Sequence, residues 1–185
     1  MSHLDYEINK ELGECYLFMG ELDKAEDYYK KAASNNGVHA DPYLGLATIA
    51  VQKGELEKAM SLYRKAAEIE PNDKAFAGMG LVEMETGSKE EAFSQFKKAL
   101  EINPENLIAL FGLVQTGHVL NRLEETIGHL QNYLQLNPDK AEVRYSLAGC
   151  LIGLGRNEEA KKQIQIILEQ DPDNEAAQEL LGQVE

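Results

Sequence analysis

The chain has 185 residues, of which 43% are apolar, so it can fold around a core and is not expected to be disordered. Its 32 acidic and 18 basic residues give a formal net charge of −14. This acidity argues against nucleic acid as a partner and against docking on an anionic membrane, because both require clustered positive charge.

The sequence also lacks the usual signatures of secretion, membrane insertion and catalysis. The first residues show no basic and apolar segments of a secretory signal, and the longest apolar runs are too short to cross a bilayer. Two cysteines are too few for a disulfide scaffold, and no metal-ligand spacing, nucleotide-binding glycine loop or nucleophile motif occurs. We therefore expect a cytoplasmic protein with no cofactor, no metal and no direct membrane insertion.

Turn-forming residues recur at a nearly constant interval. Prolines follow one another after 33, 34 and 34 residues, at Pro71, Pro104, Pro138 and Pro172. A second set repeats with the same period, at Gly20, Gly54, Gly87, Asn121 and Gly155. Between these marks apolar residues recur at three- and four-residue steps, which predicts helices. Each residue of the second set joins two helices, and each proline ends a helix because the residue before it avoids helical geometry.

The period divides the chain, in order, into repeats at 6–39, 40–72, 73–106, 107–140 and 141–174, followed by one helix at 175–185. Small and large residues occupy equivalent positions in these repeats. They are Leu12, Gly13, Tyr16, Ala25, Tyr29 and Ala32 in the first; Tyr43, Leu46, Ala47, Ala59, Tyr63 and Ala66 in the second; Phe76, Met79, Gly80, Ala92, Phe96 and Ala99 in the third; and Leu147, Ala148, Ala160 and Ile164 in the fifth. Small residues let two helices approach closely, and large ones fill the space between pairs.

This pattern resembles the tetratricopeptide repeat family over nearly the whole chain. The resemblance implies an all-α fold, an α-solenoid of stacked antiparallel helix pairs in a right-handed superhelix, with about eleven helices. It further implies a single array over residues 1–185, with five repeats and a C-terminal capping helix at 175–185.

The fourth repeat departs from the family pattern. Gly117 stands where a bulky residue is preferred, and Tyr133 stands where alanine is preferred. We predict that the Tyr133 ring fills the volume left at Gly117. The alternative is that the ring points outward into solvent.

The resemblance also implies that the first helices of the pairs line a concave binding face. The residues carried over to this face are Lys10, Leu17, Leu44, Thr48, Val51, Lys74, Leu81, Met84, Ile108, Phe111, Gln115, His118, Tyr145 and Ile152. They form an apolar wall with an acidic rim at Glu7, Glu14, Asp41 and Glu142. Such a wall suits an apolar or amphipathic peptide with some positive charge. The alternative is that several of these side chains only fill space between helices.

Two further inferences concern the same helices. A carboxylate clamp of the chaperone-binding members is not expected, because Glu14, Gly45 and Gly78 stand where donors are required, although Lys10 and Lys74 are present. Glycine inside a helix costs about 1 kcal/mol relative to alanine. Gly45, Gly78 and Gly112 at equivalent positions therefore indicate a backbone that is approached closely, by a neighbouring helix or by a bound peptide.

These observations favour a non-catalytic protein–protein interaction module that binds peptide or helical segments of partner proteins. No acid, base and nucleophile converge, which argues against an enzyme. The alternative is a self-assembling scaffold that homo-oligomerises and recruits proteins to a complex or an organelle surface. The magnetosome-associated member of the family implies this role, and many bacterial repeat proteins share the same plan.

Overall fold

The computed structural model describes residues 3–34 and 38–184, and this part of the chain folds into eleven helices without a strand. The helices are α1 His3–Phe18, α2 Leu22–Ala33, α3 Asp41–Gln52, α4 Leu56–Ile69, α5 Asp73–Glu85, α6 Lys89–Ile102, α7 Leu107–Val119, α8 Leu123–Leu136, α9 Ala141–Gly153, α10 Asn157–Gln170 and α11 Glu175–Gly182. The all-α class of stacked antiparallel helix pairs is thus confirmed.

The chain forms two compact units, with Ile102 ending the first and Asn103 beginning the second. In the first unit α1 packs on α2, α3 on α4 and α5 on α6, and each pair packs on the next. In the second unit α7 packs on α8, α9 on α10, and α11 covers α10. Each predicted repeat therefore holds one helix pair. A single array over residues 1–185 remains a prediction.

The turns inside the pairs depend on residues that accept a positive φ. Four of the five turns use glycine, with φ between 71° and 87° at Gly20, Gly54, Gly87 and Gly155. In the fourth repeat Asn121 takes the same left-handed conformation with φ 55°. Asparagine is the residue that best tolerates this region after glycine. The predicted set of turn residues is therefore explained by backbone geometry.

The loops between pairs contain asparagines that begin the next helix. Asn72, Asn106 and Asn174 each accept a hydrogen bond through Oδ1 from the backbone N–H three residues later, at 2.8, 2.9 and 3.0 Å. These N-caps satisfy a backbone donor that would otherwise lack a partner, and such a cap contributes about 1 kcal/mol. In three of the four proline loops an asparagine one or two residues after the proline therefore begins the next helix, whereas α9 begins after Lys140 without a side-chain cap.

Aromatic rings of second helices lie directly on glycines of the first unit. The Tyr29 ring of α2 covers Gly45 of α3, and the Tyr63 ring of α4 covers Gly78 of α5, so closely that an added methyl group would overlap the ring. The close approach inferred from the sequence is thus made by the neighbouring helix pair. For Gly112 the inference remains a prediction.

The Tyr133 ring of the fourth repeat is buried, with 4% of its surface exposed. The outward-pointing alternative is therefore wrong. Gly117 is buried as well, and Thr126, which replaces the usual small residue, donates a hydrogen bond from Oγ1 to the Leu123 carbonyl at 2.7 Å. The exchange of volume between Tyr133 and Gly117 remains a prediction.

A salt-bridge cluster joins the first two repeats around Glu26. Its carboxylate lies 2.9 Å from Lys30 Nζ and 2.7 Å from Lys53 Nζ, and its side chain is 12% exposed. Lys53 also reaches Asp23 at 2.9 Å. The hydrogen bonds from Lys53 and Lys30 lower the pKa of Glu26 from 4.5 to about 2.

We expect this cluster to make the first unit sensitive to acid. Because the folded state depresses the pKa of Glu26, its contribution is complete above pH 4.5 and is lost as the pH falls towards 2. Glu26→Gln should lower the free energy of unfolding by about 1 kcal/mol at pH 7 and flatten this acid dependence. Urea denaturation between pH 2 and 7 measures both effects. Asp27→Asn, at an exposed position of α2, is the control, and an equal effect of both variants contradicts the prediction.

Candidate binding site on the first helices

The apolar candidates of the first unit are divided between surface and core. Leu17 packs on the buried cluster around Tyr29, while Leu44 and Val51 pack on the cluster around Tyr63, and all three are half-buried. Met84 is half-buried as well, and Leu81 is 43% exposed. For Leu17, Leu44 and Val51 the packing matches the space-filling alternative.

The polar candidates of the first unit include two with partners on their own helices. Lys10 Nζ lies 2.9 Å from Glu7 Oε2, and this hydrogen bond raises the pKa of Lys10. Thr48 Oγ1 donates to the Leu44 carbonyl at 3.0 Å. Lys74 is exposed on α5. The positive charge of Lys10 is thus largely balanced by one of the predicted rim carboxylates.

The second unit brings candidate residues together in a recess of about 410 Å³. Phe111 of α7 and Tyr145 of α9 line it, and their side chains are 39% and 40% exposed. Glu142, a predicted rim residue that is exposed on α9, also lines it. The remaining lining residues come from α9, α10, α11 and the residue that caps α11: Ala141, Ser146, Ile167, Ala176 and Asn174. An apolar cavity with an acidic side chain in its lining results.

A second recess of about 420 Å³ adjoins the first and shares Tyr145 and Ser146 with it. Gln115 and His118 of α7 line it, opposite Gly149 of α9. Its other lining residues are Val114, Val119, Leu123 and Cys150. Four of the six candidates of this unit thus line two neighbouring cavities, and Tyr145 lines both.

The other two candidates of the second unit lie outside these recesses. Ile108 is 57% exposed on α7, and Ile152 is half-buried against the core of α9, α10 and α11. The prediction from the sequence did not include three residues that line the recesses, Ser146, Asn174 and Ala176. Ser146 Oγ donates a hydrogen bond to the Glu142 carbonyl at 2.9 Å. Asn174 ends the fifth predicted repeat and Ala176 belongs to the predicted capping helix, so only their neighbourhood in space reveals them.

Within residues 3–34 and 38–184, no group of three or more His, Cys, Asp or Glu side chains is arranged to hold a metal ion. No helix in the same part of the chain has the length and apolarity needed to cross a bilayer.

Comparison with protein families identifies the repeat. A family model described as tetratricopeptide repeat matches residues 19–79 and 120–184, and a second model with the same description matches residues 74–106. BBSome complex member BBS4 of Bos taurus is 37% identical over 73 residues, and that of Mus musculus is 34% identical over 73 residues. Each match covers 40% of this chain but spans 14% of the relative's own length.

Solved structures share the fold at low sequence identity. YrrB, described as a TPR protein with an unusual peptide-binding site, has a TM-score of 0.70 at 20% identity, over 92% of this chain and 89% of its own. Pseudomonas aeruginosa pilF reaches 0.76 at 20% identity, over 97% and 82%. MamA reaches 0.71 at 18% identity, over 91% and 92%. With most of its length matched by the family models and with helix pairs of this fold, the chain belongs to the tetratricopeptide repeat family, whose repeats form protein–protein interaction modules.

Proposed function

We propose that the first helices of the second unit bind an apolar or amphipathic peptide segment of a partner protein that carries a basic residue. The observation that supports this is the pair of recesses that share Tyr145 and Ser146. Each has the volume of a typical ligand pocket, about 300–1,000 Å³. Two adjacent cavities of this size suit successive apolar side chains of one segment.

Charge supports the same partner. The chain carries a net charge of −14, and Glu142 lines the first recess. A lysine or arginine beside the apolar residues of the peptide would meet this carboxylate, which favours encounter and fixes orientation. His118 and Gln115 offer polar contacts in the second recess.

Selection of random twelve-residue peptides by phage display tests this proposal. We expect the enriched peptides to combine large apolar residues with a lysine or arginine. Phe111→Glu should weaken their binding by at least about tenfold, because it places a charge in the apolar recess. Leu136→Glu, which puts the same charge at a 59% exposed position of α8, is the matched control. Equal affinity of wild type and Phe111→Glu, with helicity unchanged, contradicts the proposal.

Self-association is the second candidate function, and α1 supports it. Leu4, Ile8 and Phe18 lie on one face of this helix and are 68%, 46% and 96% exposed. Large exposed apolar side chains grouped on one helix face are typical of an interface between proteins, and here the exposed Glu11 lies among them. Light scattering over a hundredfold range of concentration separates the two functions, since a peptide-binding monomer keeps one mass throughout.

A further inference from the structure

A third recess, of about 440 Å³, lies in the first unit where α4, α5 and α6 meet. It is formed by second helices and by the end of α5, not by the wall of candidate residues. Leu56, Met60 and Val82 supply its apolar surface. None of the fourteen residues carried over from the family pattern lines it.

Glu83 makes this recess unusual. Only 8% of the residue is exposed, although it is a carboxylic acid on the wall of the cavity. Its Oε1 accepts a hydrogen bond from Gln95 Nε2 at 3.4 Å. Its Oε2 has no hydrogen-bond partner within the described part of the chain, and neither has Gln95 Oε1. A buried polar atom without a partner costs about 1–3 kcal/mol. This site therefore lacks a hydrogen-bond donor.

The charges around Glu83 are predominantly negative. Glu57 of α4 and Glu91 of α6 also line the recess, against one guanidinium, that of Arg64. Burial raises the pKa of Glu83 most, and Glu91 raises it further, whereas Gln95, Arg64 and Lys98 lower it. A cation beside Oε2 would stabilise the ionised carboxylate and supply the missing donor.

We propose that this recess binds a protonated alkylamine. The alkyl chain lies against Leu56, Met60 and Val82, and the Glu83 side chain turns so that Oε2, which solvent does not reach in this structure, accepts a hydrogen bond from the ammonium group. An ammonium head on an aliphatic stem matches a cavity with apolar walls and a carboxylate inside it. The amine has two sources, the lysine side chain of a partner protein or a free aliphatic diamine. This site uses other helices than the proposed peptide site, so either can be wrong alone.

Nuclear magnetic resonance of the full chain tests this proposal with n-butylamine as the probe and butan-1-ol as its neutral control. We expect n-butylammonium to shift the Met60 methyl resonance saturably and butan-1-ol to do so much more weakly. Glu83→Gln should weaken amine binding about tenfold or more, because the charged partner is lost. Glu85→Gln removes the same charge from an exposed position of α5 and should bind as the wild type does.

The wild-type protein provides a test that does not depend on the folding of variants. Amine binding should lower the pKa of Glu83, measured from the chemical shift of its side-chain carboxyl carbon. The affinity for the amine should decrease as the pH is lowered, because the Glu83 carboxylate is then protonated. Comparison of Nα-acetyl-lysine amide with 1,4-diaminobutane then identifies the source. Equal shifts by butan-1-ol, equal binding by Glu83→Gln, or an unchanged pKa of Glu83 each overturn the proposal.

Discussion

Gly78→Ala is expected to lower the free energy of unfolding of the first unit by about 3 kcal/mol, and Gly45→Ala should act similarly. The added methyl group overlaps the Tyr63 ring in one case and the Tyr29 ring in the other. Both rings are buried, with 7% and 3% of their surface exposed, so neither can move aside without leaving a cavity. This penalty exceeds the gain of about 1 kcal/mol that alanine usually brings inside a helix. Urea denaturation followed by circular dichroism measures the difference.

Gly128→Ala is the matched control for this experiment. Gly128 is an exposed residue of α8, and no neighbouring side chain lies within 4 Å of the position of the new methyl group. This variant should therefore gain about 0.5–1 kcal/mol. Combining Gly78→Ala with Tyr63→Leu, which removes the ring, should destabilise less than the sum of the single changes. Wild-type stability of Gly78→Ala would refute the close packing of ring on backbone.

Tyr133→Ala should lower the free energy of unfolding by about 3–5 kcal/mol, although alanine is the residue that the family prefers at this position. The ring is 4% exposed, and its removal leaves a cavity in the second unit. Tyr145→Ala makes the same chemical change at a 40% exposed position and should cost far less. Thermal and urea denaturation of the two variants give the comparison.

A double-mutant cycle tests the predicted exchange of volume with Gly117. If the Tyr133 ring occupies the space that a bulky residue at Gly117 would fill, Tyr133→Ala together with Gly117→Tyr should recover part of the lost stability. Gly117→Tyr alone should be strongly destabilising, because the space is already filled. Additive effects of the two changes would show that they act on separate spaces.

Much of the fold follows from the sequence because its determinants are local. A turn that requires a positive φ selects glycine or asparagine, and Gly54 and Asn121 occur at the predicted interval for that reason. The capping asparagines, such as Asn72, act within four residues of their own position. The inference that Gly45 and Gly78 are approached closely also succeeded, since a helical glycine with an energetic cost requires a packing reason.

The candidate site was less predictable because it depends on which pairs leave space between them. The positions carried over from the repeat family placed Phe111 and Tyr145 on the surface of the first helices, but they also included Leu44, which packs on the core. Position within a repeat cannot show that Asn174, at the end of the fifth repeat, lines the same recess as Tyr145 near its start. Glu83 was missed for a related reason, because its position in the repeat usually holds a bulky core residue.

The stacking of Tyr29 on Gly45 and of Tyr63 on Gly78 limits how such a chain can be lengthened or shortened by recombination. Each ring and the glycine beneath it belong to different repeats. A crossover in the loop after α4 therefore joins Tyr63 to a foreign helix, which must itself carry a glycine at the receiving position. A crossover in the turn at Gly54 keeps both rings with their own glycines. A segment made of a second helix and the first helix of the next repeat thus keeps these two ring–glycine pairs, whereas the contact of Tyr29 with Gly13 is kept only if α1 is inherited as well.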